Sequence, residues 1–389
     1  MARSGMNMER VKIQNRSLIL QYINRNGPVS RKEISKATGL TAASVTQITM
    51  QLLSEGLLRE LGAAAEPSGK AGRKEVMIDI RPEAMLVLSF NIEPEETTAA
   101  ICDLKGSLMH SDTGEALIMR FATEKDIPPK EFLLRSANRL KRLIFALPES
   151  LRDRVKGLSV GVTGIVDTEN GISEHAYGIW DEAVDICGIL QTELRLPVTV
   201  ENNVDAFAIA ELLFGEGRAQ DDFLLIKWGP GVGSAIVVND AVYRGRHGKT
   251  AEMGHFIVEK NGKKCSCGRR GCLETKVSYK ALHEILPFTP ETFTAAYLEA
   301  PQEARKAMDQ AIELFARCIV NAGALIAPKR IVLCGPLFEN ELIRIKLTAC
   351  CESYDPAYNR RRIVHTALEG KENYIGPAAV CIQKIYTGS

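Results

Sequence analysis

The residues best suited to chemistry lie close together between positions 255 and 272. Cys265, Cys267 and Cys272 follow a C-x-C-x4-C spacing, and His255 stands ten residues before the first thiol. Three thiolates and one imidazole are ligands that close a tetrahedral zinc site, so we predict a structural zinc rather than a hydrolytic one. Two other interpretations stay open at this point: four unrelated buried residues, or a regulatory disulfide that leaves one thiol unpaired.

The amino-terminal segment is basic and has the pattern of short helices. Residues 10–74 hold eleven Lys or Arg against four Asp or Glu, a net charge of +7, whereas the whole chain carries +1. Ser30 with Glu33 forms a capping-box pattern, Gly39 marks a turn, and Thr41 precedes a third helix. Three helices followed by a strand pair predict a winged helix-turn-helix. The alternative is a small helical protein-interaction module.

The start of the third helix carries small and polar side chains that suit a DNA groove. Ser, Thr and Gln hydrogen-bond base edges in the major groove, and basic side chains neutralise phosphates. The predicted DNA-binding residues are Thr41, Ser44, Thr46, Gln47 and Arg73. We therefore expect operator DNA as a partner. We also expect a homodimer or higher homo-oligomer, because two-fold symmetry presents two recognition helices to a palindromic operator.

From about residue 81 onward, strand-like runs alternate with helical ones. That alternation predicts an α/β body, with sheets flanked by helices. We predict a DNA-binding domain with linker at 1–80, a first α/β lobe at 81–200, and a second lobe with the zinc motif at 201–389. The two lobes share no tandem repeat that is visible in the sequence.

The composition is that of an ordinary globular protein, with 45% hydrophobic and 25% charged residues. No apolar run approaches the roughly 20 residues that a membrane span needs, and the amino terminus has no signal-peptide pattern. Five of the ten cysteines stand singly, and the ten show no disulfide framework, which suits a reducing compartment. We therefore predict a cytoplasmic protein with no membrane partner.

Two long motifs resemble those of the ROK family, which comprises repressors, open reading frames and sugar kinases. They are GHx9CxCGxxGCxE and the stretch before it, GPGVGSAIVVNDAVYRGRHGKTAEMGH. The helix-turn-helix in front resembles the branch of xylose and N-acetylglucosamine repressors. The resemblance implies an N-terminal winged helix-turn-helix followed by a two-lobed actin-like ATPase (ROK) fold, with a sugar cleft between the lobes.

The resemblance also implies which residues bind the sugar. They are Asn202, Glu252, His255 and Glu274, and Asn203 beside them can hydrogen-bond a hydroxyl as well. One ring nitrogen of His255 would hold zinc while the other faces the ligand. Trp180, in the stretch HAYGIW, either stacks on the sugar ring or fills the core.

Two departures from the family's kinases argue against an enzyme. Asn203 stands where the kinases have the catalytic aspartate, and a carboxamide is no general base near neutral pH. The first phosphate loop falls on residues 91–95, where acidic residues and Pro94 replace the expected glycines, so no ATP is expected. The second loop, Gly229–Gly233, is retained either as a turn or as a residual anion site.

The sequence therefore predicts a transcriptional repressor that responds to a sugar, a sugar phosphate or another sugar derivative. An ATP-dependent sugar kinase with a DNA-binding head is the main alternative. A sensor that binds another protein in place of free sugar is the third hypothesis.

Overall fold

The structure is a computed structural model that describes residues 8–63, 75–219, 222–245 and 250–387. It has an N-terminal helical head and two lobes, each built around a five-stranded sheet. None of the helices in these ranges combines the length and the apolar run that crossing a lipid bilayer requires. The predicted α/β architecture with a helical head is confirmed.

The head consists of three helices and a small antiparallel sheet of order β1-β3-β2. Its elements are α1 (Met8–Asn26), β1 (Val29–Ser30), α2 (Arg31–Thr38), α3 (Ala42–Ser54), β2 (Leu58–Ala63) and β3 (Val76–Ile80). The predicted capping box is present, since the Ser30 hydroxyl accepts from the Glu33 backbone and the Glu33 carboxylate accepts from Ser30 N. Thr41 caps α3, and Gly39 takes the left-handed conformation (φ 70°) that ends α2.

The first lobe contains a sheet of order β11-β7-β4-β5-β6 and a smaller sheet of order β10-β9-β8. Its elements are β4 (Leu86–Ile92), β5 (Glu96–Cys102), β6 (Ile118–Ala122), α4 (Pro129–Phe145), α5 (Glu149–Arg152), β7 (Val155–Val162), β8 (Ile165–Asp167), β9 (Ile172–His175), β10 (Val184–Asp185), α6 (Ile186–Leu194) and β11 (Val198–Asn202). Strand β4 is buried along its whole length, which explains why its sequence is mostly apolar; Ser89 and Asn91 are its buried polar residues.

The second lobe contains a sheet of order β14-β13-β12-β15-β16. Its elements are α7 (Asn203–Phe214), β12 (Phe223–Trp228), β13 (Val232–Val238), β14 (Ala241–Val242), α8 (Glu274–Val277), α9 (Tyr279–Ile285), α10 (Phe293–Glu299), α11 (Gln302–Ile326), β15 (Arg330–Cys334), α12 (Glu341–Tyr354), β16 (Ile363–His365) and α13 (Ile375–Thr387). Short 3-10 turns lie at Pro82–Ala84, Glu216–Ala219, Met253–His255 and Pro336–Glu339.

The two large sheets share one topology. In each, the first strand pairs antiparallel with the second, which pairs antiparallel with the third. The fourth strand joins the other side of the first in parallel, and the fifth continues beyond it. This structural duplication has no counterpart in the sequence, because an apolar strand pattern can be kept while every residue changes.

The head packs directly against the body. One apolar cluster runs from Ile19 and Ile23 of α1 into residues of α7 and α13. Helix α13 also packs on β4 and β7 of the first lobe, although it follows the second lobe in the chain. The Lys105 ammonium of the first lobe pairs with Asp79 of β3 at 2.8 Å. The domain boundaries at 80 and 200 stay predictions.

Candidate ligand cleft and metal centre

A cleft of about 350 Å³ lies between the two lobes. It receives residues that follow the carboxyl ends of parallel strands, namely Glu93 after β4, Thr163 after β7 and Asn203 after β11. The carboxyl edge of a parallel sheet is the usual place for a ligand, because successive loops converge there. All five predicted sugar-binding residues line this cleft: Asn202, Asn203, Glu252, His255 and Glu274. Their role in binding stays a prediction.

The four predicted metal ligands come together at one end of the cleft. The ligand atoms of His255, Cys265, Cys267 and Cys272, which we call the metal cluster, all lie within 4.8 Å of one another. The distance from Cys265 Sγ to His255 Nδ1 is 3.6 Å, and Cys267 Sγ to Cys272 Sγ is 3.7 Å. Tetrahedral ligands at about 2.3 Å from a zinc ion stand about 3.8 Å apart. The cluster can therefore bind a metal ion.

The loop that carries the thiols turns tightly because of its glycines. Gly271 has φ 73°, and a Cβ on it would stand 1.8 Å from the Glu259 carbonyl oxygen. An isolated β-bridge pairs Ile257 with Cys272 and so brings the Cys272 thiol close to His255. Only glycine fits such a backbone approach, so this position holds the cluster together.

His255 connects the metal cluster to the cleft. Its Nδ1 faces the thiols, and its Nε2 lies 3.6 Å from the Glu252 carboxylate. Burial lowers the pKa of His255 and so favours the neutral imidazole that a metal requires. The Tyr177 ring packs edge-on against the imidazole, with centroids 5.7 Å apart. Glu252 and Tyr177 thus hold the ring in an orientation that joins the cluster to the ligand space.

Asn202 forms the corner between β11 and α7. Its Oδ1 accepts hydrogen bonds from Val204 N at 2.8 Å and Asp205 N at 3.2 Å, so it caps the helix. Its Nδ2 donates to the Gly164 carbonyl at 2.8 Å. The Asn202 side chain thus fixes the start of α7 and also lines the cleft.

A mostly buried ion pair joins the two lobes across the cleft. Lys227 Nζ of β12 donates to Glu93 Oε1, which follows β4, and their side chains are only 14% and 20% exposed. The same carboxylate oxygen accepts from Asn203 Nδ2 at 3.1 Å and Asn91 Nδ2 at 3.3 Å. Burial by itself disfavours both charges. The charged and hydrogen-bonding partners outweigh burial, so the pKa of Glu93 is lowered and the pKa of Lys227 is raised.

The retained glycine loop is also satisfied from within the protein. Val232 N donates to Glu274 Oε2 at 3.1 Å, and a Cβ on Gly231 would stand 2.6 Å from that oxygen. Gly229 N bonds to the Gly231 carbonyl. Burial raises the pKa of Glu274. Backbone N–H groups of such loops can bind a phosphate, but here the Val232 N–H is already hydrogen-bonded to the Glu274 carboxylate.

Asp205 is a cleft residue that the sequence reasoning missed. It lies in the first turn of α7 and lines the cleft. Burial, together with the nearby Glu201 carboxylate, raises the pKa of Asp205 to about 7, although the Arg244 guanidinium opposes the shift. The sequence signal was its position two residues after Asn203, in the same stretch.

Trp180 fills the core instead of facing the ligand. Its side chain is 7% exposed, its Nε1 donates to Ser173 Oγ at 3.1 Å, and its ring packs against Phe132. Tyr177 and Gly178 of the same stretch line the cleft in its place. The tight turn that contains these residues decides which of them faces the cleft. The spacing of residues in the sequence does not reveal that choice.

The predicted recognition helix presents its polar start to solvent. Thr41, Thr46 and Gln47 are exposed and Ser44 is half-buried, while Val45 and Leu52 on the opposite face are fully buried. This arrangement leaves a face of α3 free to enter a groove. Arg73 lies outside the described residues.

Helix α7 joins the cleft to the head. It begins at Asn203 in the cleft and ends at Phe214. Near its end, the Leu212 carbonyl accepts a hydrogen bond of 3.0 Å from Arg25 Nε of α1. The Arg25 side chain is only 5% exposed. One rigid element therefore contacts both the ligand space and the DNA-binding head.

The fold and cleft define a protein with a DNA-binding head on a kinase-like body, and family models agree. A winged helix-turn-helix DNA-binding model matches residues 14–59, and the ROK family model matches residues 108–384. The chain belongs to the ROK family.

Two curated relatives are repressors. The xylose repressor of Bacillus subtilis (strain 168) is 29% identical over 274 residues, which cover 70% of this chain and 67% of that protein. The DNA-binding transcriptional repressor Mlc of Escherichia coli (strain K12) is 24% identical over 401 residues, covering 98% of this chain and 96% of that protein.

Solved structures include both regulators and kinases of the family. A ROK family transcriptional regulator described as a homolog of the E. coli MLC protein has a TM-score of 0.79 and 25% identity, covering 97% of this chain and 98% of that chain. A ROK family glucokinase from Streptomyces griseus has a TM-score of 0.61 and 20% identity, covering 76% and 98%. The second likeness concerns the fold alone.

Proposed function

We propose that the protein is a sugar-responsive transcriptional regulator, a repressor that binds operator DNA through its head and a sugar or sugar derivative in the cleft. The observation that carries the proposal is the course of α7. Its start lines the cleft, and its Leu212 carbonyl bonds to Arg25 of the head. A ligand that favours one position of α7 therefore changes the equilibrium of an element that the head also contacts.

The polar lining supports a sugar as the ligand. Carboxylates, amides and an imidazole bind vicinal hydroxyls as acceptors and donors, and a few such groups in a cleft of this size give orientation. The proposed sugar-binding residues are Asn202, Asn203, Glu252, His255 and Glu274. The names of the relatives, a xylose repressor and an N-acetylglucosamine repressor among them, support the same ligand class.

The cleft is proposed to bind without catalysing phosphoryl transfer. Asn203 carries no carboxylate, and its Nδ2 is already bonded to Glu93. Phosphoryl transfer requires that the phosphates of ATP are held in position and that their negative charge is neutralised. The Glu93 carboxylate opposes both requirements.

A sugar kinase remains the second candidate because of Asp205, whose raised pKa of about 7 suits a general base. Incubation with Mg-ATP and a sugar panel separates the two, since turnover well above background would identify a kinase.

The metal is proposed to be a structural zinc held by His255, Cys265, Cys267 and Cys272. Three thiolates and one imidazole leave no open position, which is the chemistry of a structural site. Bound zinc would fix the imidazole whose other nitrogen faces Glu252, so it would hold the sugar-binding wall in place.

The DNA contacts are proposed to come from Thr41, Ser44, Thr46 and Gln47 of α3 and from Arg73. A homodimer or higher homo-oligomer on a palindromic operator is proposed on symmetry grounds. A regulator that binds operator DNA acts where the DNA is, so the proposed location is the cytoplasm.

The test begins with a thermal-shift screen of sugars, because a ligand of the folded state raises its stability by mass action. Operator fragments are then selected from genomic DNA, and their affinity is measured by fluorescence anisotropy with and without the sugar. We expect the sugar to change operator affinity at least about fivefold.

Gln47→Ala serves as the control, since it should weaken operator binding and leave the sugar-induced thermal shift intact. A protein that binds no DNA at low salt would contradict the proposal. Specific DNA binding without response to any sugar would favour the sensor of a protein partner.

A further inference from the structure

The wall of the cleft that carries Lys227 has the parts of a phosphate site. Lys227 is a mostly buried cation, and the glycine loop Gly229–Gly233 lies beside it with the amide of Asn203. A phosphate is held by a cation and by N–H donors that point at its oxygens. Whether such a wall can take a phosphate depends on what those donors already bind.

In this protein the donors converge on a carboxylate of the chain itself. Lys227 Nζ, Asn203 Nδ2 and Asn91 Nδ2 all donate to one atom, Glu93 Oε1. Glu274 Oε2 takes the Val232 N–H in the same way. An ammonium and two amides thus surround one carboxylate, and a neighbouring backbone N–H binds a second one, so both anions are supplied by the protein itself.

The pair holds its charges at neutral pH despite its burial. The pKa of Glu93 is lowered although burial opposes its charge, and the pKa of Lys227 is raised although burial opposes its charge too. A phosphate dianion entering here would have to displace Glu93 or add negative charge beside it. Breaking a buried pair by taking one partner away is strongly unfavourable.

We propose that Glu93 is a specificity-determining residue, a tethered anion that fills the phosphate end of the cleft and excludes phosphorylated ligands. The effector class is therefore an unphosphorylated sugar. The inference rests on the proposed function of the cleft as a sugar site, but its main test does not require that sugar to be known.

The test uses inorganic phosphate as the probe and the full chain with its metal. Glu93→Gln keeps the shape of the side chain and removes its charge, which leaves the Lys227 ammonium without its counter-ion. By calorimetry we expect no phosphate binding at millimolar concentration for the natural protein, and at least tenfold tighter binding for Glu93→Gln. Adding Lys227→Met should abolish the gain.

Glu95→Gln is the matched control, because Glu95 is 84% exposed, two residues away, and pairs with Lys125. It should not bind phosphate. A folded Glu93→Gln protein that gains no phosphate affinity would overturn the proposal, and so would a natural protein that binds phosphate equally well.

If Glu93→Gln does not fold, the natural protein still tests the idea with matched pairs of sugars and their 6-phosphates in thermal-shift assays. The sugar alone should raise the melting temperature, and a larger shift from the phosphorylated partner would overturn the proposal. A cleft that responds to no sugar while Glu93→Gln gains phosphate would refute the sugar site and support the tethered anion.

Discussion

The two ends of the cleft satisfy their polar groups in opposite ways. At one end, the metal cluster brings three thiols and an imidazole around a common centre, where a metal ion can bind. At the other, Glu93 and Lys227 neutralise each other, and two amides complete the arrangement. The difference teaches that residues suited to binding bind an outside partner only when the protein has not supplied one itself.

The largest expected effect comes from breaking the metal end. Cys272→Ser removes a thiolate from the cluster, so we expect the metal content to fall from about one ion per chain to nearly none. Because metal binding is folding free energy, the melting temperature should fall by about 10 °C or more. Metal analysis and thermal unfolding measure both. Cys350→Ser, at a half-buried cysteine outside the cluster, should change neither.

The second prediction adds a charge to the self-neutralised end. Asn203→Asp places a carboxylate where Asn203 Nδ2 donates to Glu93 at 3.1 Å, so a hydrogen bond becomes a repulsion between like charges. We expect the free energy of unfolding to fall by about 1–3 kcal/mol, measured by chemical denaturation. We also expect no phosphorylation of any sugar with Mg-ATP.

The double variant Asn203→Asp with Glu93→Gln is the control for this repulsion, because the carboxamide can donate to the new carboxylate. It should recover most of the lost stability. A stable single variant with kinase activity would show that the phosphate end is open after all.

The third prediction concerns Asp205, between the two ends. Its folded pKa of about 7 lies above its ordinary value, so its contribution to stability is full below about pH 4 and is lost as the pH rises through 7. As the pH rises from 5.5 to 8, the free energy of unfolding of Asp205→Asn should therefore increase by about 1–2 kcal/mol relative to that of the natural protein. Urea unfolding at several pH values measures the difference.

Asp126→Asn is the matched control, since Asp126 is exposed to solvent. Its stability should run parallel to that of the natural protein over the same pH range. Parallel curves for Asp205→Asn would mean that Asp205 titrates far below neutral pH.

The smallest expected effect tests whether the phosphate end communicates with the head. Arg25→Met keeps the bulk of the side chain and removes the donor to the Leu212 carbonyl. We expect the sugar-induced change in operator affinity to be weakened at least about threefold, so that the ratio of affinities with and without sugar moves towards one, with sugar affinity unchanged. Fluorescence anisotropy measures it. Arg16→Met, which breaks the Arg16–Glu55 pair within the head, should leave the ratio unaltered.

The elements and the metal cluster could be predicted because their causes are local. The Ser30 and Thr41 caps act over three residues, and the cluster lies within 18 residues of chain. The role of Trp180 was left open, and the structure places it in the core, because the turn around it decides its direction. The importance of Asp205 was missed, since its raised pKa depends on burial by parts of the chain that spacing does not report.

The sequence by itself determined the helical head, the alternation of the α/β body and the four residues of the metal cluster. Each of these follows from residue types at short spacing, where the chain's own geometry brings the groups together. Only the tertiary structure decided that Glu93 meets Lys227 across 134 residues, and that Arg25 meets Leu212 across 187. Such contacts arise when two sheets and a head pack on one another, and a pair of charged residues far apart in sequence carries no sign of its partner.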